Sequence, residues 1–145
     1  MKYVFSFYKF KCINSSFYKK GFNPISALTH ATLVNLLQFP LTRDLSVQMM
    51  REAEVIAGKL GVTLRVGIDR RIAGAEQVGA HKTSMLQDVE AGRPIELEAL
   101  VGAVVELGQL TGVATPHIST VYACTSLLAR TLAEQNGRLA VSPRH

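Results

Sequence analysis

The chain has 145 residues, 48% hydrophobic and 19% charged, a balance that fits a folded domain with its own core and excludes a disordered chain. No run approaches the ~18 consecutive apolar residues of a membrane span. Two cysteines, Cys12 and Cys124, are too few for a disulfide framework or a zinc site, and His30, His81, His117 and His145 are too scattered for metal-ligand spacing. The net charge of +5 sits entirely in the first twenty residues, where Lys2, Lys9, Lys11, Lys19 and Lys20 occur without an acid. Residues 21–145 carry 11 basic and 11 acidic residues, which is not the basic face of a nucleic-acid-binding domain.

The opening segment "MKYVFSFYKFKCINSSFYKK" differs in kind from the rest of the chain. Of ten Phe and Tyr residues, eight fall at or before Phe22. No small-residue cleavage site marks it as a signal peptide. A basic amphipathic anchor and an aromatic surface for single-stranded nucleic acid are alternatives to the reading favoured here, an atypical leader (1–20) joined to an older domain (21–137). Residues 138–145 read as a frayed tail.

After the seam the chain reads as successive helices. "NPISALTHATLVNLLQ" predicts one helix with Asn23 as N-cap and Pro24 at N1. "RDLSVQMMREAEVIAGKLG" places Leu45, Met49, Ala53, Ile56 and Leu60 on one face and stops at Gly61. "TLRVG" is a connection, and "DRRIAGAEQVG" a weaker helix diluted by glycine. Ser84 with Gln87 three residues on resembles a capping box, and Gly92 ends that helix. Pro94 at N1 would place Glu96 at N3 of the next helix, where an acid complements the dipole. That helix carries Leu97, Leu100, Val101, Val104, Leu107 and Leu110 at helical spacing. The last one runs from Thr115 as N-cap through Pro116 to a stop at Gly137. With no alternating strands, the expected fold is an all-α bundle of about five or six helices.

Taken one at a time, the polar residues around "HKTSMLQDVEAGRPIE" have ordinary explanations as caps and dipole partners. Together they form a pattern. "GFNPISALTHATL", "MMREAEVIAGKLGV" and "HKTSMLQDVEAGRPIELEALVGAVVELGQLTGVATPHISTVYACTSLLARTL" closely resemble the C-terminal helical domain of the 2-dehydropantoate 2-reductases (ketopantoate reductases), a fold like the C-terminal domain of 6-phosphogluconate dehydrogenase. The resemblance covers roughly residues 21–133. It implies a cytoplasmic, NADPH-dependent oxidoreductase that reduces 2-dehydropantoate, or a related 2-oxo acid, to pantoate on the route to pantothenate and coenzyme A. It also implies site residues. Asn23, Lys82 and Ser84 match the substrate-binding positions, and Glu96 matches a glutamate facing the cleft beside substrate and cofactor.

Two parts of the family pattern are missing. The general-acid lysine stands eight residues before the asparagine, with another asparagine between, but here those positions are Ser15 and Lys19, so no catalytic lysine is in register. No G-x-G-x-x-G occurs, so no NADPH site is expected within this chain. The implied partner is a Rossmann domain, in cis or in trans, and the chain is expected to be a C-terminal fragment inactive by itself. The alternative is a stand-alone helical module that dimerises or binds without catalysis, for which the Leu/Val-rich helix 97–110 is suited. Neither nucleic acid nor membrane is expected as a partner.

Overall fold

A computed structural model describes residues 19–138, and the side chains of residues 21–138. The leader and the tail therefore lie almost wholly outside the described residues. Seven α-helices succeed one another, and no strand occurs among the described residues. They are α1 (Lys19–Thr29), α2 (Leu33–Gln38), α3 (Pro40–Lys59), α4 (Ile68–Val78), α5 (Ser84–Glu90), α6 (Ala103–Thr111) and α7 (Pro116–Glu134). A wide π-turn, Glu98–Gly102, leads into α6. The all-α expectation holds.

The helix count exceeds the expected five or six because the first predicted helix is two. His30 takes a left-handed conformation, φ 59°. Two side chains of α1 bond backbone carbonyls around the break: Ser26 Oγ donates to the Ala31 carbonyl (2.6 Å), and Thr29 Oγ1 donates to the Ile25 carbonyl (2.8 Å). The Leu33 N–H, at the start of α2, donates to the His81 carbonyl at 3.0 Å. A helix end whose orphan groups find partners is a stable place to stop. This last bond also ties the α1–α2 break to the loop that precedes α5.

Asn23 is not an N-cap. Helix α1 begins upstream, at Lys19, and passes through Asn23 and Pro24. An interior proline gives up one backbone hydrogen bond. Here burial outweighs that loss, since every residue from Gly21 to Ala27 is buried. Phe22 and Ile25 enter the common core with Leu36, Met50, Ile56 and Val101. α1 packs chiefly on α5, and also on α3 and α7, so it is the central helix of the domain.

α3 starts with Pro40 at its first position and buries Met49, Ala53 and Ile56 as the spacing predicts, and Met50 in addition. Leu60, the last residue of the predicted stripe, is exposed, and Gly61 turns the chain at φ +73°. In the fifth helix the stop at Gly92 is a Schellman turn: Gly92 N–H donates to the Val89 carbonyl (3.1 Å) and Arg93 N–H to the Asp88 carbonyl (2.8 Å). Leu97, Val101, Val104 and Leu107, the stripe that suggested a dimerisation helix, are buried in the domain's own core, and Leu110 alone of the predicted face is strongly exposed. Among the described residues no helix is long and apolar enough to cross a membrane, and no group of three or more potential ligands could hold a metal ion.

Candidate functional site

Two of the four predicted site residues meet. Asn23, on α1, is buried, and its Nδ2 donates to Ser84 Oγ at 3.4 Å, the long end of hydrogen bonding. The two are 61 residues apart in sequence. Ser84 is exposed at the first position of α5, so its hydroxyl faces solvent on one side and the Asn23 amide on the other.

The cap of α5 is Thr83, not Ser84. The Thr83 side chain is buried and its Oγ1 accepts from the Leu86 N–H at 3.2 Å. Both residue types are good caps, and the buried one holds the geometry. The expected capping box is absent as well, since Gln87 turns back to donate from Nε2 to the Lys82 carbonyl at 2.9 Å. Ser84 is thereby released from the structural duty that its local sequence suggested.

Lys82 lies just before this cap. Its Nζ is 3.0 Å and 2.7 Å from the two carboxylate oxygens of Glu90, the last residue of α5. Arg93 is held in the same way, with Nε 2.9 Å from Asp88 Oδ1. Both cations beside α5 are thus engaged by acids of α5 itself.

Glu96 is not in the first turn of a helix. After the Schellman turn, residues 93–96 have no regular structure, and the Leu97 N–H donates to the Ile95 carbonyl at 2.9 Å. That bond puts Glu96 at the middle of a three-residue turn. Buried Leu97 anchors the start of the helical run, three residues later than Pro94 suggested. Glu96 is exposed, and its carboxylate makes no hydrogen bond or ion pair with a described residue. It lines an open groove of about 420 Å³ with Ile95, Leu97, Glu98, Ala99, Ser126 and Ala129, a lining that includes neither Asn23 nor Ser84.

Glu98, two residues on, is tied down. Tyr122 on α7 donates its phenol to the Glu98 carboxylate, 2.7 Å and 2.9 Å from the two oxygens. That hydrogen bond, with burial and the nearby negative charge, raises the tyrosine pKa above its ordinary value of 10.0. Gly102 makes the arrangement possible, since a Cβ there would lie 2.6 Å from Glu98 Oε2. A tyrosine 24 residues downstream carries no local sequence signal, so this pair was not foreseen.

Comparison with known proteins places these motifs. The model of the ketopantoate reductase PanE/ApbA C-terminal family matches residues 12–129, starting ahead of the seam drawn at residue 21. A 2-dehydropantoate 2-reductase of Mesorhizobium japonicum is 53% identical over 117 residues, which is 81% of this chain and 35% of that protein. One from Aquifex aeolicus is 32% identical over 121 residues, 79% of this chain and 38% of that protein. Among solved structures, the 2-dehydropantoate 2-reductase of Methylococcus capsulatus superimposes with a TM-score of 0.75 at 32% identity, covering 80% of this chain and 40% of the other. The chain spans little more than a third of the length of the curated relatives it matches.

Proposed function

We infer the function from the premise that this chain belongs to the ketopantoate reductase PanE/ApbA C-terminal family, an oxidoreductase family. We propose that it is the substrate-side domain of a cytoplasmic, NADPH-dependent 2-dehydropantoate 2-reductase and that it does not turn over alone. The observation that carries this reading is the contact between Asn23 and Ser84, which joins two separately placed family motifs across α1 and α5.

The residues of this chain suit a 2-oxo acid or its 2-hydroxy product. The Ser84 hydroxyl donates to one end of the ligand, and the buried Asn23 amide fixes the direction of that hydroxyl. Lys82 adds positive charge beside it for a carboxylate. Glu96, whose carboxylate makes no hydrogen bond or ion pair with a described residue, is an acceptor for a ligand hydroxyl. The described residues do not fit a dinucleotide: they are helices joined by short connections, and the sequence has no glycine-rich strand-to-helix loop. NADPH, which supplies the hydride, is therefore assigned to a Rossmann domain in cis or trans, as is closure of the site over Glu96. The alkoxide formed on the substrate needs an acid to protonate it, and the family position for that lysine is Ser15, outside the described residues.

The test is titration of the isotopically labelled chain with 2-dehydropantoate, monitored by backbone NMR. Saturable shifts centred on Asn23, Thr83 and Ser84 are expected, with no NADPH oxidation by the chain alone. Shifts absent from all three residues at tens of millimolar ligand would refute the reading.

A further inference from the structure

We propose that Glu90 sets the ligand affinity of this site by acting as an internal carboxylate for Lys82. The inference rests on the reading of Lys82 as a substrate-binding residue. Lys82 and Glu90 flank the two ends of α5, and the Lys82 ammonium sits 3.0 Å and 2.7 Å from the two oxygens of the Glu90 carboxylate. A ligand carboxylate would present the same pair of oxygens. Glu90 thus offers the Lys82 ammonium the same group that the acid of a 2-oxo acid would offer it.

Helix stability does not account for Glu90. A carboxylate in the last residue of a helix faces the negative end of the helix dipole and is disfavoured there. Lys82 compensates it from the far end of the helix. The backbone of Lys82 is fixed meanwhile by Gln87, which donates to its carbonyl at 2.9 Å. Only the side chain of Lys82 is left to choose a partner. Both members of the pair are open to exchange with solutes, at 49% and 38% side-chain exposure. An exposed pair of this kind is weak, so an incoming carboxylate displaces Glu90 at a small cost. A neutral ligand gains nothing by doing so. The pair therefore holds the lysine side chain on an internal acid and subtracts a fixed amount from the affinity of every acid that binds.

The test measures 2-dehydropantoate affinity by NMR titration of the Ser84 amide in the wild type, E90Q, K82Q and K82Q/E90Q, with the neutral lactone of 2-dehydropantoate as a second probe. Removing a surface ion pair is worth about a two- to fivefold change, so E90Q is expected to tighten acid binding by that factor and to leave lactone binding unchanged. K82Q weakens acid binding, and E90Q in the K82Q background has no further effect. Equal affinity in E90Q and wild type overturns the proposal. So does tightening that persists without Lys82, which would mean simple removal of a repelling charge. Absence of saturable binding in every protein, wild type included, instead overturns the substrate-domain reading on which the proposal stands.

Discussion

Glu52 on α3 caps the first turn of α7 at His117. Its two carboxylate oxygens lie 2.9 Å from the backbone N–H groups of His117 and Ile118, and Oε1 is also 2.6 Å from His117 Nδ1. Thr115, the residue that precedes α7, makes no side-chain cap bond and pairs instead with Ser119. A long-range polar link between α3 and α7 therefore takes the place of the local cap that the sequence suggested. The Glu52 side chain is only 11% exposed, so its charge is poorly screened and well matched to the positive end of a 19-residue helix.

Removing that carboxylate should be costly. Hydrogen bonds to a charged group are worth about 1.5–3 kcal/mol, so E52A should lower unfolding stability by roughly 2 kcal/mol and E52Q by about half as much. Urea denaturation checks this. A loss under ~0.5 kcal/mol for E52A would mean that water replaces the carboxylate at the helix end.

The Tyr122–Glu98 pair gives a pH dependence. The folded pKa of Tyr122 is raised, first by its hydrogen bond to Glu98. Its neutral form is therefore favoured in the native state, and the associated stability is present below the ordinary tyrosine pKa and lost as pH rises through the folded value. Absorbance titration should show Tyr122, identified by difference from Y122F, ionising above the ordinary tyrosine pKa. E98Q should return it toward the ordinary value, and an unchanged Tyr122 titration in E98Q would contradict the pairing.

Two helix ends meet at Gly92 and Gly137. Both have left-handed backbones, φ +67° and +78°, and a Cβ on Gly92 would lie 2.8 Å from the Gly137 carbonyl oxygen. G92A and G137A should each cost at least about 2 kcal/mol, from the left-handed conformation plus the collision. Gly74, within α4, has open space around it and no positive φ. There the change to alanine should stabilise by ~0.5–1 kcal/mol. Thermal melts of the three variants separate the cases, and equal melting temperatures would contradict the packing.

Thr83 should matter for stability and Ser84 for binding. T83A is expected to cost about 1 kcal/mol as a lost cap, with T83S close to wild type. S84A should leave the melting temperature nearly unchanged and weaken 2-dehydropantoate binding. A large stability loss in S84A, with none in T83A, would restore Ser84 as the cap.

The buried helical pattern was legible. Met49, Ala53 and Ile56 on α3 and Val101, Val104 and Leu107 near α6 are buried where 3.6-residue periodicity put them. Glycine stops were legible too, since Gly61 and Gly92 adopt the positive φ that a helix end requires. Caps were the weak point. Asn23 has the composition of a cap, yet tertiary burial carries α1 through it. Thr83 and Ser84 are equivalent on local chemistry, and only burial separates them. Glu52, Glu90 and Tyr122 act on partners set by folding rather than by neighbourhood in the chain, so no spacing rule could select them. Of the candidate site, no local signal showed that Asn23 and Ser84 touch across α1 and α5, or that Glu96 lines a groove whose lining omits both.

The most direct measurement joins residues 21–137 to the preceding portion of the Mesorhizobium japonicum relative, in place of that protein's own matching stretch, and assays the chimera with NADPH and 2-dehydropantoate. Reduction of 2-dehydropantoate is predicted, lowered at least about tenfold by S84A or E96Q, because both side chains would act on the bound substrate. A folded chimera that binds NADPH but does not reduce 2-dehydropantoate would contradict the assignment of this domain to the substrate side of the reductase.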